Sequence, residues 1–138
     1  MTHLKERPVV TSFLRRGCRV LVLRRSQRVR THRGKWAAVS GGIEGADPLE
    51  QALLEVREET GLADDELRLV RAGQPLRVPD AEHGVEWVVH PFLFDFEGES
   101  EIRLDWEHTE CRWVDPGELG TLDTVPMLAE TWERLWRT

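Results

Sequence analysis

Residues 40–62 read SGGIEGADPLEQALLEVREETGL, and the fold follows from how this stretch divides. Asp47 has a capping side chain, Pro48 suits the first helical position, and Glu50 stands at capping-box spacing from Asp47. Gly61 can close a helix in the left-handed conformation. Between these marks Leu49, Ala52, Leu53 and Val56 fall at i, i+3, i+4 and i+7, one apolar stripe for burial. Glu55, Glu58 and Glu59 then gather on a neighbouring face, where like charges repel and acids near a helix C-terminus oppose its dipole. Arg57 projects elsewhere around the helix. A solvated acidic face would carry the same residues. A bound divalent cation would offset the repulsion, since hard cations such as Mg2+ take oxygen ligands and recruit substrate phosphates. Ser40-Gly41-Gly42 precedes the helix and follows a strand, so bare backbone N–H groups can approach an oxyanion there.

Outward from this segment the chain alternates short strands with turns. Val9–Leu14 and Cys18–Leu23 flank Arg-Arg-Gly as a hairpin, and a basic loop, Arg24–Lys35, leads to the short apolar run Trp36–Val39. Leu67–Val78 predicts one bent strand or two, Val85–Phe96 another strand, Asp95–Glu101 a turn, and Glu110–Val114 a strand. Asp115-Pro116-Gly117 breaks the chain. Thr124–Arg137 predicts an amphipathic helix with Pro126 in its first turn and Leu128, Trp132, Leu135 and Trp136 at helical spacing. The order implies an α/β sandwich, a mixed β-sheet between helices, formed as a single domain over residues 1–138.

Composition agrees with one soluble domain. The chain has 138 residues, 40% hydrophobic and 32% charged, enough to build a core without disulfides. Two cysteines, Cys18 and Cys111, form no disulfide framework and suggest a reducing, cytoplasmic setting. No stretch approaches a membrane span. Net charge is −6, but residues 1–35 sum to +10 and residues 36–138 to −16. The acidic body argues against general nucleic-acid binding, and the basic segment suits a small anionic ligand.

The glycine pair at a set distance before Glu-Val-Arg-Glu-Glu-Thr-Gly-Leu, residues 55–62, resembles the box of the Nudix hydrolases. Trp36 and the Glu-Cys-Arg-Trp-Val stretch at 110–114 are similar to the family as well, and the element order fits throughout. The resemblance implies a Nudix-type α/β/α sandwich that hydrolyses the diphosphate linkage of a nucleoside diphosphate derivative with Mg2+ or Mn2+. It implies Glu55, Glu58 and Glu59 as metal ligands, with Glu58 a third ligand or water orienter. Gly41 or Gly42 would offer a backbone carbonyl to the metal or N–H groups to phosphate. The general base would be a box glutamate, Glu55 or Glu58, or an acid in Asp105–Glu110, where Glu107 and Glu110 flank His108. Arg24 and Arg33, with Arg25, Arg28 and Arg30, are candidate phosphate binders. Trp36, Trp87 and Trp106 are candidates to stack on a base, each with packing as the plainer reading.

Two positions depart from the family. Ala46 and Leu54 replace a Glu and an Arg that pair in the family, and the loop after Gly42 is about one residue shorter. Losing both partners is milder than losing one, since no lone buried charge remains. Glu44 is the candidate to take over part of the loop role. Alternatives are a weakly catalytic nucleotide-binding module on this fold, and a diphosphate isomerase, against which no cysteine sits beside the glutamates. An exposed Trp in the last helix would make a homodimer contact plausible.

Overall fold

The computed structural model describes residues 3–45 and 47–137; Ala46 lies outside them. Among the described residues eight strands form one mixed sheet: β1 (Lys5–Arg16), β2 (Arg19–Arg25), β3 (Trp36–Ala37), β4 (Val39–Gly42), β5 (Leu67–Ala72), β6 (Leu76–Asp80), β7 (Val85–Phe96) and β8 (His108–Val114). Two helices accompany them, α1 (Pro48–Thr60) and α2 (Leu128–Arg134), with single 3-10 turns at Asp64–Glu66, Ala81–His83 and Pro116–Gly120.

The long strands β1 and β7 run parallel in register from Lys5↔Val85 to Arg15↔Asp95, the axis of the sheet. β1 turns into β2 through Gly17 at φ 62 and Cys18, and its earlier residues Val9–Ser12 pair antiparallel with β4. β2 is flanked by β3 and β8; β7 carries β5 along Phe92–Phe96 and β6 along Val85–Val89, end to end on the edge away from β1.

Side-chain alternation divides the core into two layers. Val10 and Leu14, Leu21 and Leu23, and Phe92, Phe94 and Phe96 point to the layer that receives Ala52 and Val56 of α1. Phe13, Val20, Val22 and Leu93 point to the opposite layer, closed by Leu119 of the 3-10 turn and by Leu128 and Leu135 in and just beyond α2. The sandwich expected from element order is the architecture observed.

The differences lie at element ends. Leu67–Val78 is two strands, the pairing with β7 lapsing opposite Pro91, which has no N–H to donate and accepts from Gly73 N–H at 2.9 Å. The last helix starts at Leu128 rather than Thr124. Residues 123–125 instead lie alongside β3 in a parallel bridge, Trp36 N–H donating to Asp123 O at 2.9 Å and Val125 N–H to Trp36 O at 2.9 Å. Pro126 therefore precedes the helix, which begins after Met127 at φ 66. β8 begins at His108, two residues ahead of the expected start. Among the described residues no helix is long and apolar enough to cross a membrane. Trp136 follows α2, remains partly exposed and packs edge-on against Trp132.

Candidate functional site

The site is built on α1 and the strand before it. The Asp47 side chain accepts from Glu50 N–H at 3.0 Å, Pro48 opens the helix, and Gly61 closes it at φ 77 with its N–H on Arg57 O. Ala52 and Val56 are fully buried and Leu49 and Leu53 pack beside them, which sets the rotation of the helix and hence the direction of its glutamates. Leu54 points outward, 38% exposed, where an apolar side chain leaves no charge unpaired.

The three box glutamates fall into three environments. Glu58 is exposed, Glu55 is half-buried, and Glu59 is only 2% exposed. The Glu55 carboxylate fills the space a Cβ on Gly41 would need, so a side chain there would push the carboxylate aside. Gln51 Nε2 donates to Glu55 Oε1 at 3.0 Å. Glu59 Oε1 lies 3.6 Å from His108 Nε2, and Glu59 Oε2 is buried with no hydrogen-bond partner. An orphaned buried acceptor costs about 1–3 kcal/mol, which a purely structural side chain has no reason to retain.

His108, Asp105 and Glu107 come from the segment before and at the start of β8, and nothing in local spacing tied them to the box. His108 is buried, and its Nδ1 meets Asp105 Oδ1 at 3.0 Å. Ser26 N–H donates to Glu107 O at 2.7 Å, joining this segment to the basic loop after β2. The carboxyls reinforce one another. Burial pushes Glu59 well above the usual carboxylate range, and Glu55, Glu107 and Asp105 push further. Burial raises Glu55, while the neighbouring Glu59 carboxyl and the Gln51 amide pull it down. Burial also raises Glu107, with Asp105 adding to it and Arg25 opposing. Burial lowers the His108 imidazole, outweighing its bond to Asp105.

A cavity of about 500 Å3 opens on the sheet face that carries Val9 and Thr11, reaching Gly41 and Gly42 but none of the three box glutamates. Gly41, Gly42, Arg25, Trp87, Asp80 and Glu107 line it. Trp87 Nε1 donates to Asp80 Oδ2 at 3.2 Å, which holds the indole in the wall. Trp36 instead packs in the core beneath Arg112, and Trp106 stands exposed with Arg28 over its ring. Of the candidate arginines only Arg25 lines the cavity, its Nε donating to Thr31 O. Arg24 and Arg33 spend their Nε on the backbone carbonyls of Gly34 and Val29. Glu110 is exposed opposite Arg24 in β8 and, like Cys18 and Cys111, does not line the cavity. Among the described residues Glu44 holds the loop through its backbone N–H, which donates to Gln51 Oε1 at 3.3 Å.

Among the described residues no three acid, His or Cys side chains converge tightly enough to hold an ion as they stand, since Glu58 turns outward. The donor set nonetheless fits a hard divalent cation: carboxylate oxygens, one of them buried and unpartnered, against a strand whose Gly41 leaves room.

The fold is shared widely among solved structures. A Caenorhabditis elegans Ap4A hydrolase in a binary complex is 16% identical, covering 92% of this chain and 93% of its own, with a TM-score of 0.77. A MutT protein from Methanosarcina mazei Go1 is 24% identical over 99% of this chain and 97% of its own, also at 0.77. The Escherichia coli dihydroneopterin triphosphate pyrophosphohydrolase is 19% identical over 94% of this chain and 95% of its own, at 0.72. No curated protein sequence matches. The NUDIX domain family profile matches residues 5–135, nearly the whole chain. This chain therefore belongs to the NUDIX domain family.

Proposed function

We propose that the chain is a Mg2+- or Mn2+-dependent hydrolase that cleaves the diphosphate linkage of a nucleoside diphosphate derivative. The reading rests on one observation: the buried Glu59 keeps an oxygen without a partner beside Glu55, whose carboxylate lies in the space left by the missing side chain of Gly41. Glu55, Glu58 and Glu59 would hold the cation, with a backbone oxygen of Gly41 as a further donor. When bound, the cation neutralises the charge that develops on the phosphate oxygens.

The remaining work falls to protein groups. Gly41 and Gly42 border the cavity and let a phosphate chain approach the backbone. Arg25 has its Nε held by Thr31, which leaves the terminal guanidinium nitrogens to bind phosphate. Arg24 and Arg33, outside the cavity lining, contribute to the basic field that draws an anion in. Water attacks one phosphorus; the new O–P bond forms as the bridging P–O bond breaks, and the bridging oxygen leaves with the departing phosphate. Glu107 takes the water proton, and burial raises its affinity for protons. Glu107 fits that role better than Glu110, because it lines the cavity and Glu110 does not. Trp87, Val78, Val89 and Pro126 give the cavity an aromatic and aliphatic wall suited to a planar base.

The test is a panel of nucleoside diphosphate derivatives incubated with metal-stripped protein, with and without Mg2+ or Mn2+, followed by detection of phosphate and nucleotide. Turnover that requires the metal is expected. Metal-dependent binding without turnover would instead make the chain a binding module.

A further inference from the structure

Gln51 touches both halves of the box. It is 5% exposed, on the buried side of α1. Its Oε1 accepts from Glu44 N–H at 3.3 Å, and its Nε2 donates to Glu55 Oε1 at 3.0 Å. The partners determine the amide's orientation, since a backbone N–H needs an acceptor and a carboxylate a donor. On an open helix face an i,i+4 pair of this kind contributes little. Here the amide is buried, and its second bond leaves the helix for the loop after Gly42. The loop start is held separately, Ile43 N–H donating to Pro8 O at 3.0 Å. Leu54, exposed and apolar, offers the loop no polar contact. The Glu55 carboxylate that Gln51 holds is the one pressed against Gly41.

We infer that Gln51 is a positioning residue for the cation site: it couples the loop after Gly42 to the Glu55 carboxylate, so that strand backbone and carboxylate present their oxygens together. The inference rests on the metal-dependent reading above. Gln51 need not touch substrate or cation. It acts by removing freedom from two groups that must be placed relative to each other, as outer-shell hydrogen bonds do for metal ligands.

The experiment uses the full chain and three readouts: Mn2+ binding by calorimetry without substrate, amide hydrogen exchange of the metal-free protein, and melting temperature. Gln51→Met keeps length and burial but neither bond. Its Mn2+ affinity should fall about 10- to 100-fold, and the Glu44 amide should exchange faster, with melting nearly unchanged. Gln51→Asn, one methylene shorter, should lose less affinity and carries the test if the Met variant does not fold. A variant that binds Mn2+ as tightly as a metal-binding wild type overturns the inference alone, including when its melting temperature falls. A wild-type protein that binds no Mn2+ overturns the metal reading and this inference with it.

Discussion

Asp95 and Glu59 are both largely buried acids, and the protein treats them in opposite ways. Asp95, on β7, accepts from Arg15 Nε at 2.7 Å and from Arg68 at 2.7 Å, and Arg68 reaches on to Glu97. Glu59, on α1, meets further acids and a neutral-leaning imidazole, and one of its oxygens bonds to nothing. A chain with 17 arginines had cations to spare for that position. An acid paired with arginine holds elements together, whereas acids crowded without a counter-charge store repulsion that a ligand can relieve.

The largest effect expected from this contrast is on turnover. Glu59→Gln should lower kcat/KM by at least about 100-fold, the upper range for perturbing a metal's surroundings, while the melting temperature of the metal-free protein holds or rises. Turnover at the wild-type level would remove Glu59 from the chemistry. Next, Glu107→Gln should lower kcat by about 10^2- to 10^4-fold as the loss of a general base, and Glu110→Gln should leave it within about threefold. The reverse ranking in steady-state kinetics would move the base to β8.

Stability gives a subtler contrast. In the metal-free protein Glu59 binds its proton more tightly folded than unfolded. From the ordinary carboxylate range up to its raised value, the folded state therefore holds more protons, and stability falls as pH rises. Below that window the contribution is fully present. Urea unfolding at stepped pH should show the slope, and Glu59→Gln should flatten it; an unchanged slope would assign the protons elsewhere. The smallest effect belongs to the paired acid. Asp95→Asn should cost about 1 kcal/mol in the same unfolding experiment and leave kcat untouched.

Much of this contrast is legible in the residues. Asp47, Pro48 and Gly61 carry the ends of α1 in their own chemistry, because caps depend on neighbours within one turn. The apolar stripe sets which way the helix faces, and so draws Glu55 and Glu59 inward and Glu58 outward. The C-terminal helix is less legible. Its pattern from Thr124 is helical, but strand pairing with Trp36 claims residues 123–125, and tertiary hydrogen bonds override a local period. The choice among arginines is not legible at all: Arg24 and Arg25 are adjacent, and a register shift in β2 lies between them.

The kind of molecule is thus written locally, in a motif whose spacing makes helix, cap and carboxylate face follow from rotation about one axis. The partners of that motif are another matter. His108 and Asp105 reach Glu59 from about 50 residues away in sequence, and Arg25, Trp87 and Glu107 meet around one cavity from three separate elements. Such meetings depend on strand register and loop path, and each is chosen by the packing of the whole sheet, which no short stretch of sequence encodes.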